Sequence, residues 1–247
     1  MVSLIETLGD CRLCRAQGIS LRPSRVLPRW AFPGLPQVEE PLHCERCEER
    51  LSRNVDYVAH LGYSGERLGL LEHVVPGLGP REDLRVASLR GFNATAMAHF
   101  AASVFWRAHV SARPECGRLF LSISEEESLR DYLRGLRPRP SRLCFTVAAL
   151  IETDEGGAPP WTTTSFPVTD ARGEGRWHMF AVAGLAFAMS AGDAAAGIGG
   201  ICLACGHDPH VVFTSWARVR HVVTLTDALF TGVRKSRPIT MPRPTES

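Results

Sequence analysis

Lysine is nearly absent: the chain holds 28 basic residues, and Lys235 is the single lysine among them. Arginine in excess beside abundant alanine and glycine is what GC-rich codon usage produces, so the arginine count carries no functional signal by itself. Net charge is also lacking. A formal charge of +2 and a pI near 8.2 exclude bulk attraction to nucleic acid or to an anionic membrane, and any basic site must be a local patch. No charged-then-apolar segment precedes Asp10, and the Pro-rich polar C-terminus carries no lipidation cysteine, which predicts a cytoplasmic protein. The longest apolar stretch, Met179 to Cys205, is broken by Gly184, Gly192, Asp193, Gly197, Gly199 and Gly200, so it reads as buried strands with a loop and not as a membrane span. There is no glycine-rich phosphate loop, dinucleotide fingerprint, nucleophile elbow, His-Glu-x-x-His motif or internal repeat. The usual enzyme signatures are therefore missing.

What is present begins with size. A chain of 247 residues, 45% of them hydrophobic, can build one large or two small domains around a core. Eight cysteines are too few for a disulfide scaffold at this length, and their spacing is more informative than their number. Cys11-Arg-Leu-Cys14 and Cys44-Glu-Arg-Cys47 are two Cys-x-x-Cys knuckles, each of which turns both sulfurs toward one point. Together they supply four thiolates for a tetrahedral Zn²⁺ with every position filled by protein, which is a structural site. Two disulfides or a redox pair are the alternatives; the first needs an oxidising compartment, and the second needs one exposed low-pKa pair. The residues after Cys44 are helix formers with Leu51, Val55 and Val58 on one face, so the second knuckle opens a helix. Ile19 to Leu21 and Val26 to Leu27 fit a β-hairpin after the first. Knuckle, hairpin and helix-borne knuckle describe a treble clef.

Several segments carry a family resemblance: Cys11 to Cys14, Ser24-Arg25-Val26-Leu27-Pro28-Arg29-Trp30, Leu42-His43-Cys44-Glu45-Arg46-Cys47-Glu48 and Leu51-Ser52. They resemble the four-cysteine branch of the HNH endonuclease-like proteins, and bacterial proteins of largely unassigned function that share the arrangement. The resemblance is specific over residues 11 to 56, looser to about residue 135 through Phe100 to Arg107 and Glu125 to Leu133, and weak beyond. It implies a ββα scaffold with a Ser-His-Ile-x-Pro segment between the knuckles. In HNH nucleases the histidine of that segment is the general base, beside a divalent metal. Here the position holds Arg25, and a guanidinium binds phosphate but takes no proton from water. Ser24 stands where active members often carry an acidic metal ligand. Glu48, Asn54 and Asp56 are the candidates for a catalytic Mg²⁺ or Mn²⁺, and His43 lies beside the second knuckle. Arg22, Arg25, Arg29 and Trp30 form a basic and aromatic cluster suited to DNA or RNA phosphates. Against it stand as many carboxylates as arginines in residues 1–60, and the alternative that Trp30 packs on the second domain.

The remainder divides by texture. Residues 62–80 look like a connection, and 84–112 read as one long helix or two, with Phe92, Ala96, Phe100, Val104 and Phe105 near helical spacing. Arg107 in this apolar setting needs a carboxylate, with Glu125, Glu126 and Glu127 as candidates. Ser124 with Glu127 predicts a capping box and a helix ended by Gly135. Arg134, Arg137, Arg139 and Arg142 then make a basic link. From Leu143 the pattern turns to strands: Cys144 to Ile151, Ser165 to Val168, Trp177 to Ala188 and His210 to Ser215. A short final helix fits Ser215 to Arg220 or Leu225 to Val233. Cys202, Cys205, His207 and His210 cluster within nine residues, too tight for all four to surround one ion, though two or three could with Cys116 or Cys144.

The expected fold class is α+β: an HNH-like treble-clef zinc module over 1–60, a mainly helical region over 61–142, and a mainly antiparallel sheet over 143–247 packed on the helices. These features support three functions. The first is a zinc-binding, nucleic-acid-associated protein with a degenerate catalytic site. The second is a zinc-stapled module that binds a protein partner. The third is an active metal-dependent endonuclease.

Overall fold

The computed structural model describes residues 7–31, 39–64, 67–74, 85–140, 142–152, 164–170, 176–191, 202–204 and 210–215. β1 (Thr7–Gly9), β2 (Ile19–Ser24) and β3 (Glu40–His43) form an antiparallel sheet in the order β1-β2-β3. β2 pairs with β3, and not with the Val26 to Leu27 segment that the sequence suggested; Pro28 and the 3₁₀ turn Arg29–Ala31 take the chain out of the sheet there. Cys44 then caps α1 (Glu45–Ser52), which is followed by α2 (Val55–Leu61). The face expected to be apolar is the one that packs, with Leu51 and Val58 buried and Val55 partly so. After the short pair β4 (Tyr63–Ser64) and β5 (Arg67–Leu68), a 3₁₀ turn closes on the end of α2. Gly69 allows this approach, because a Cβ there would lie 1.9 Å from the His60 carbonyl oxygen.

β6 (Arg85–Ser88) is a strand, where periodicity over residues 84–112 suggested helix. The helix starts later because Gly91 adopts a positive φ of 67° and Asn93 forms the N-cap. That helix, α3 (Ala94–Val110), is buried nearly all round, from Ala96 through Phe100, Phe105 and Arg107. An all-round apolar helix must lie inside, and α3 packs against α1, α2, α4 (Ile123–Leu133) and β7 (Leu143–Glu152). Its N-terminus is held by the Asn93 side chain, which accepts from Ala96 N at 2.9 Å, while Asn93 N donates to the Tyr57 hydroxyl at 2.7 Å. Asn93→Ala removes the cap and is expected to lower stability by about 1 kcal/mol, read as an earlier urea midpoint with an unchanged slope.

The second sheet has six strands in the order β6-β11-β7-β10-β9-β8, with β8 (Val168–Asp170), β9 (Trp177–Val182), β10 (Leu185–Ala191) and β11 (His210–Ser215). All pairings are antiparallel except β7 with β11, so the architecture is α+β with a mainly antiparallel sheet. Within the apolar run that starts at Met179, Ala183 and Gly184, with positive φ values of 46° and 77°, make the two-residue hairpin turn between β9 and β10, and β10 ends at Ala191. Ser165 and Phe166 lie just ahead of β8, not within it. Phe180 stacks on Phe187 at 4.8 Å, and Phe105 meets Phe180 edge-on at 5.1 Å, joining α3 to the sheet. One continuous core runs from Leu13, Leu27 and Leu51 through α3 to Phe145 and Phe187. No helix among the described residues is long and apolar enough to cross a membrane. The proposed final helix lies outside the described residues.

Candidate metal centre

The chain brings the two knuckles together through β3. Arg12 N donates to Leu42 O at 2.9 Å, which pins the first knuckle beside the strand that leads into the second. Arg15 N returns to Cys11 O at 2.9 Å, with Arg15 at a positive φ of 64°, so the first turn closes tightly. At the second, Cys47 N and Glu48 N both donate to Cys44 O, as the first turn of α1 requires. The result is that the sulfurs of Cys11, Cys14, Cys44 and Cys47 all lie within 4.8 Å of one another, and Cys14 and Cys44 are 3.9 Å apart. Four Zn–S bonds of ~2.3 Å in a tetrahedron place sulfurs ~3.8 Å apart, so this set fits a metal ion of that size. All four are free thiols, and Cys11 and Cys47 are buried. Cys44 N donates to Cys11 Sγ at 3.4 Å, a contact that favours thiolate there. The Cys47 thiol holds Cys11 down, to about 3, and Cys47 is itself pushed up by the same contact. Sulfurs this close resist simultaneous ionisation unless a cation neutralises them. Pure thiolate donors with no position left over suit structural Zn²⁺, held by these four residues and stapling β3 and α1 to the N-terminal turn.

Beneath the thiols lies a polar cluster that joins this unit to α3. Glu48, a candidate metal ligand by sequence, points into it. Glu48 accepts from Ser24 Oγ at 2.8 Å through Oε2, and from Arg107 Nη2 at 2.7 Å and Ser52 Oγ at 3.2 Å through Oε1. Arg107 Nε also donates to Ser24 Oγ at 3.2 Å, and its Nη1 to Leu51 O and Ser103 Oγ at 3.3 Å. Arg107 is 3% exposed and His43 is fully buried, while the Glu48 side chain keeps 19% of its surface, so the charges meet largely shielded from water. Burial works against a Glu48 anion, but His43, Arg107 and Ser24 outweigh it and hold the carboxyl down at about 2. The partner of Arg107 is thus Glu48 on α1, and not Glu125, Glu126 or Glu127. His43 Nδ1 lies 3.3 Å from both Ser24 Oγ and Glu48 Oε2, while its buried Nε2 has no partner among the described residues. A serine–histidine–carboxylate triad needs serine and acid on opposite ring nitrogens, so this trio is not one.

The other sequence candidates disperse. Asn54 and Asp56 start α2, with Asp56 exposed, and neither shares a hydrogen bond with the Glu48 cluster. Arg22 pairs with Glu45 at 2.7 Å, and Arg25 pairs with Glu39. Arg29 is exposed, whereas Trp30 turns inward and stacks on Phe100 at 6.4 Å. Of the second cysteine cluster, Cys202 is buried beside β7 through Leu203 N to Phe145 O at 2.7 Å, His210 opens β11, and Cys205 and His207 lie outside the described residues. Among the described residues no second group of three or more metal-binding side chains converges; Cys116 is buried, and burial pushes its thiol up to about 11.

A pair that sequence reasoning missed lies on the far side of α3. The capping box of α4 is Ser122 with Glu125, two residues ahead of the expected Ser124 with Glu127. Glu125 is 4% exposed and accepts from Ser122 N at 2.6 Å, Ser122 Oγ at 2.8 Å and the fully buried His178 Nε2 at 3.2 Å. Burial opposes its ionisation, but His178 and Ser122 prevail and hold the carboxyl down at about 2, against 4.5 ordinarily. A depressed folded-state value gives stability that is complete above the ordinary value and disappears as pH falls toward the folded one. Glu125→Gln is therefore expected to cost about 1–3 kcal/mol near neutrality, with the gap to the native chain closing between pH ~5 and ~2 in urea midpoints.

Comparison with models of known protein families, with curated proteins and with solved structures finds no match to this chain.

Proposed function

We propose that residues 7–61 are an HNH-like treble-clef module in which zinc is structural and the catalytic site is degenerate, and that the module contacts nucleic-acid backbone without cleaving it. The observation that carries this reading is the Glu48 cluster. The β2–β3 pair followed by α1, with one knuckle before β2 and one at the start of α1, matches the order such a scaffold needs. In it, Ser24 and Glu48 come within 2.8 Å of each other, as ligands of a catalytic cation would. The cation beside them is the Arg107 guanidinium, which already neutralises Glu48 and holds Ser24. Arg25 supplies no base. Charge for a phosphate remains at the surface: Arg22 and Arg25 sit in exposed or half-exposed ion pairs, which are worth little and exchange readily for phosphate contacts.

One observation favours a second reading, a zinc-stapled module for a protein partner: Trp30 is engaged with Phe100, which removes the aromatic half of the surface cluster. The two readings separate in one experiment on the full zinc-loaded chain. Supercoiled plasmid is incubated with Mg²⁺, Mn²⁺ or Ni²⁺, and the same samples are run as gel shifts over a salt series. The expected result is no nicking, with a shift that weakens as salt rises and is reduced by Arg22→Ala with Arg29→Ala. Nicking that is lost in Asp56→Ala makes the chain a nuclease and overturns the proposal. Neither nicking nor shift overturns nucleic-acid binding and leaves the protein-partner reading.

A further inference from the structure

A cleft of about 540 Å³ lies far along the chain from the cysteines, between α4 and one end of the six-stranded sheet. That size suits a small molecule. Strand register builds one wall: Ala191 pairs with Leu143 and Ser190 with Trp177, so the start of β7, the end of β10 and the start of β9 share one edge. Arg142 and Arg176, each just ahead of one of these strands, line the cleft from that edge. The other wall is one stripe of α4, in which Ser124, Glu127, Ser128 and Asp131 recur at helical spacing.

The walls differ in chemistry. Glu125, at the cleft's edge of the core, is already supplied with donors by Ser122 and His178, and it takes a single contact from Arg176 Nη1 at 3.4 Å. The Arg176 side chain stays 47% exposed, with further N–H groups to offer. Arg142 is exposed and forms no ion pair with the described residues. The sheet wall is thus a pair of donors for an anion. Glu127, equally exposed and without an ion pair among the described residues, makes the helix wall an acceptor flanked by serine hydroxyls. Arg137, which also lines the cleft, is paired with Asp131 at 3.5 Å, so a bare anion would meet repulsion from Glu127, a simple cation would meet Arg142 and Arg176, and an apolar molecule would find few apolar neighbours. A ligand with an acceptor-rich, doubly charged end and a hydroxyl-bearing end satisfies both walls. Two guanidiniums match a phosphate monoester better than a carboxylate, and carboxylates accept well from sugar hydroxyls.

We propose that this cleft binds a phosphate monoester of a sugar, of mononucleotide size, with the phosphate between Arg142 and Arg176 and the sugar hydroxyls on Glu127. The test is calorimetric titration of the full zinc-loaded chain with ribose 5-phosphate, adenosine monophosphate, adenosine, inorganic phosphate and glutamine. Ribose 5-phosphate or the mononucleotide is expected to bind at least tenfold more tightly than inorganic phosphate, adenosine and glutamine. Arg142→Gly removes the guanidinium at a backbone φ of 58° that glycine adopts freely, so the fold is kept while affinity falls at least tenfold. Glu127→Gln is expected to weaken the sugar phosphate and leave inorganic phosphate unchanged, and Arg90→Ala, on a distant exposed loop, to change neither. No binding of either sugar phosphate at millimolar concentration overturns the proposal. So does binding indifferent to Arg142→Gly, inorganic phosphate bound as tightly as its esters, or glutamine bound in their place.

Discussion

Cys47→Ala is expected to cost the chain its zinc and its N-terminal unit together. The four thiols converge where residues 11–14 meet the start of α1, so an ion held by all four would staple the two, and apart from buried Leu13 the described contacts that hold that turn are few. Its hydrogen bonds are Arg12 N to Leu42 O, Cys44 N to Cys11 Sγ and short contacts within the knuckle, and β1 is a three-residue, largely exposed strand. A structural Zn²⁺ contributes on the order of 10–16 kcal/mol in small zinc modules, as much as the net stability of a typical domain. Losing one of four ligands opens the closed site and forfeits part of that. Leu13, Leu27 and Leu51, which join the common core from this unit, then lose their cover, and the Arg107 side of α3 is opened to water. Metal analysis of the native chain should give one zinc per chain, and Cys47→Ala none. Limited proteolysis should cut first between residues 7 and 61, and a chelator should reproduce both effects at neutral pH. Cys116→Ala, which removes a buried thiol outside the cluster, should keep full zinc content. A Cys47→Ala chain that keeps native melting and protease resistance would contradict a structural site.

How much of this was legible beforehand depended on range along the chain. The knuckles were readable because a Cys-x-x-Cys turn is specified by four consecutive residues, and two such turns have few other uses. The α4 box was readable in kind and wrong by two residues, because Ser122-Ile-Ser124-Glu125-Glu126-Glu127 offers the same spacing twice. The choice between the frames is made by His178, which is distant in sequence and buries Glu125 in particular. β6 read as helix for the same reason: its pairing with β11 lies far away in the chain, and nothing local announces it. The surface cluster failed differently. Trp30 had an exposed and a packed reading of equal local quality, and only Phe100 on α3 decides between them. Arg107 was recognised as a buried cation in need of an acid, yet its acid sits on α1, before the whole of β4 to β6, and no pattern in sequence joins the two.

That long-range pair gives the second large effect. Arg107→Met leaves the part-buried Glu48 carboxylate against Ser24, Ser52 and His43 without its guanidinium, and should destabilise the chain by up to about 3–5 kcal/mol, the range for breaking a fully buried pair by one partner. Glu48→Gln leaves Arg107 fully enclosed with only Leu51 O, the Ser24, Ser52 and Ser103 hydroxyls and one neutral amide, and should cost a comparable amount. The double variant replaces two opposed charges by neutral groups and removes the uncompensated charge from each single change. It should therefore be more stable than the sum of the singles predicts, by about 1–3 kcal/mol in a double-mutant cycle of urea midpoints. Zinc content should stay at one per chain in all three, since no ligand is altered. The same cycle bears on chemistry. If Arg107 is the cation of the Ser24 and Glu48 pocket, Arg107→Met should let Mn²⁺ stabilise the chain while the native protein shows no Mn²⁺ response beyond its zinc. Additive singles, or a native chain stabilised by Mn²⁺ as strongly as Arg107→Met, would show that the guanidinium is a neighbour of that pocket and not its occupant.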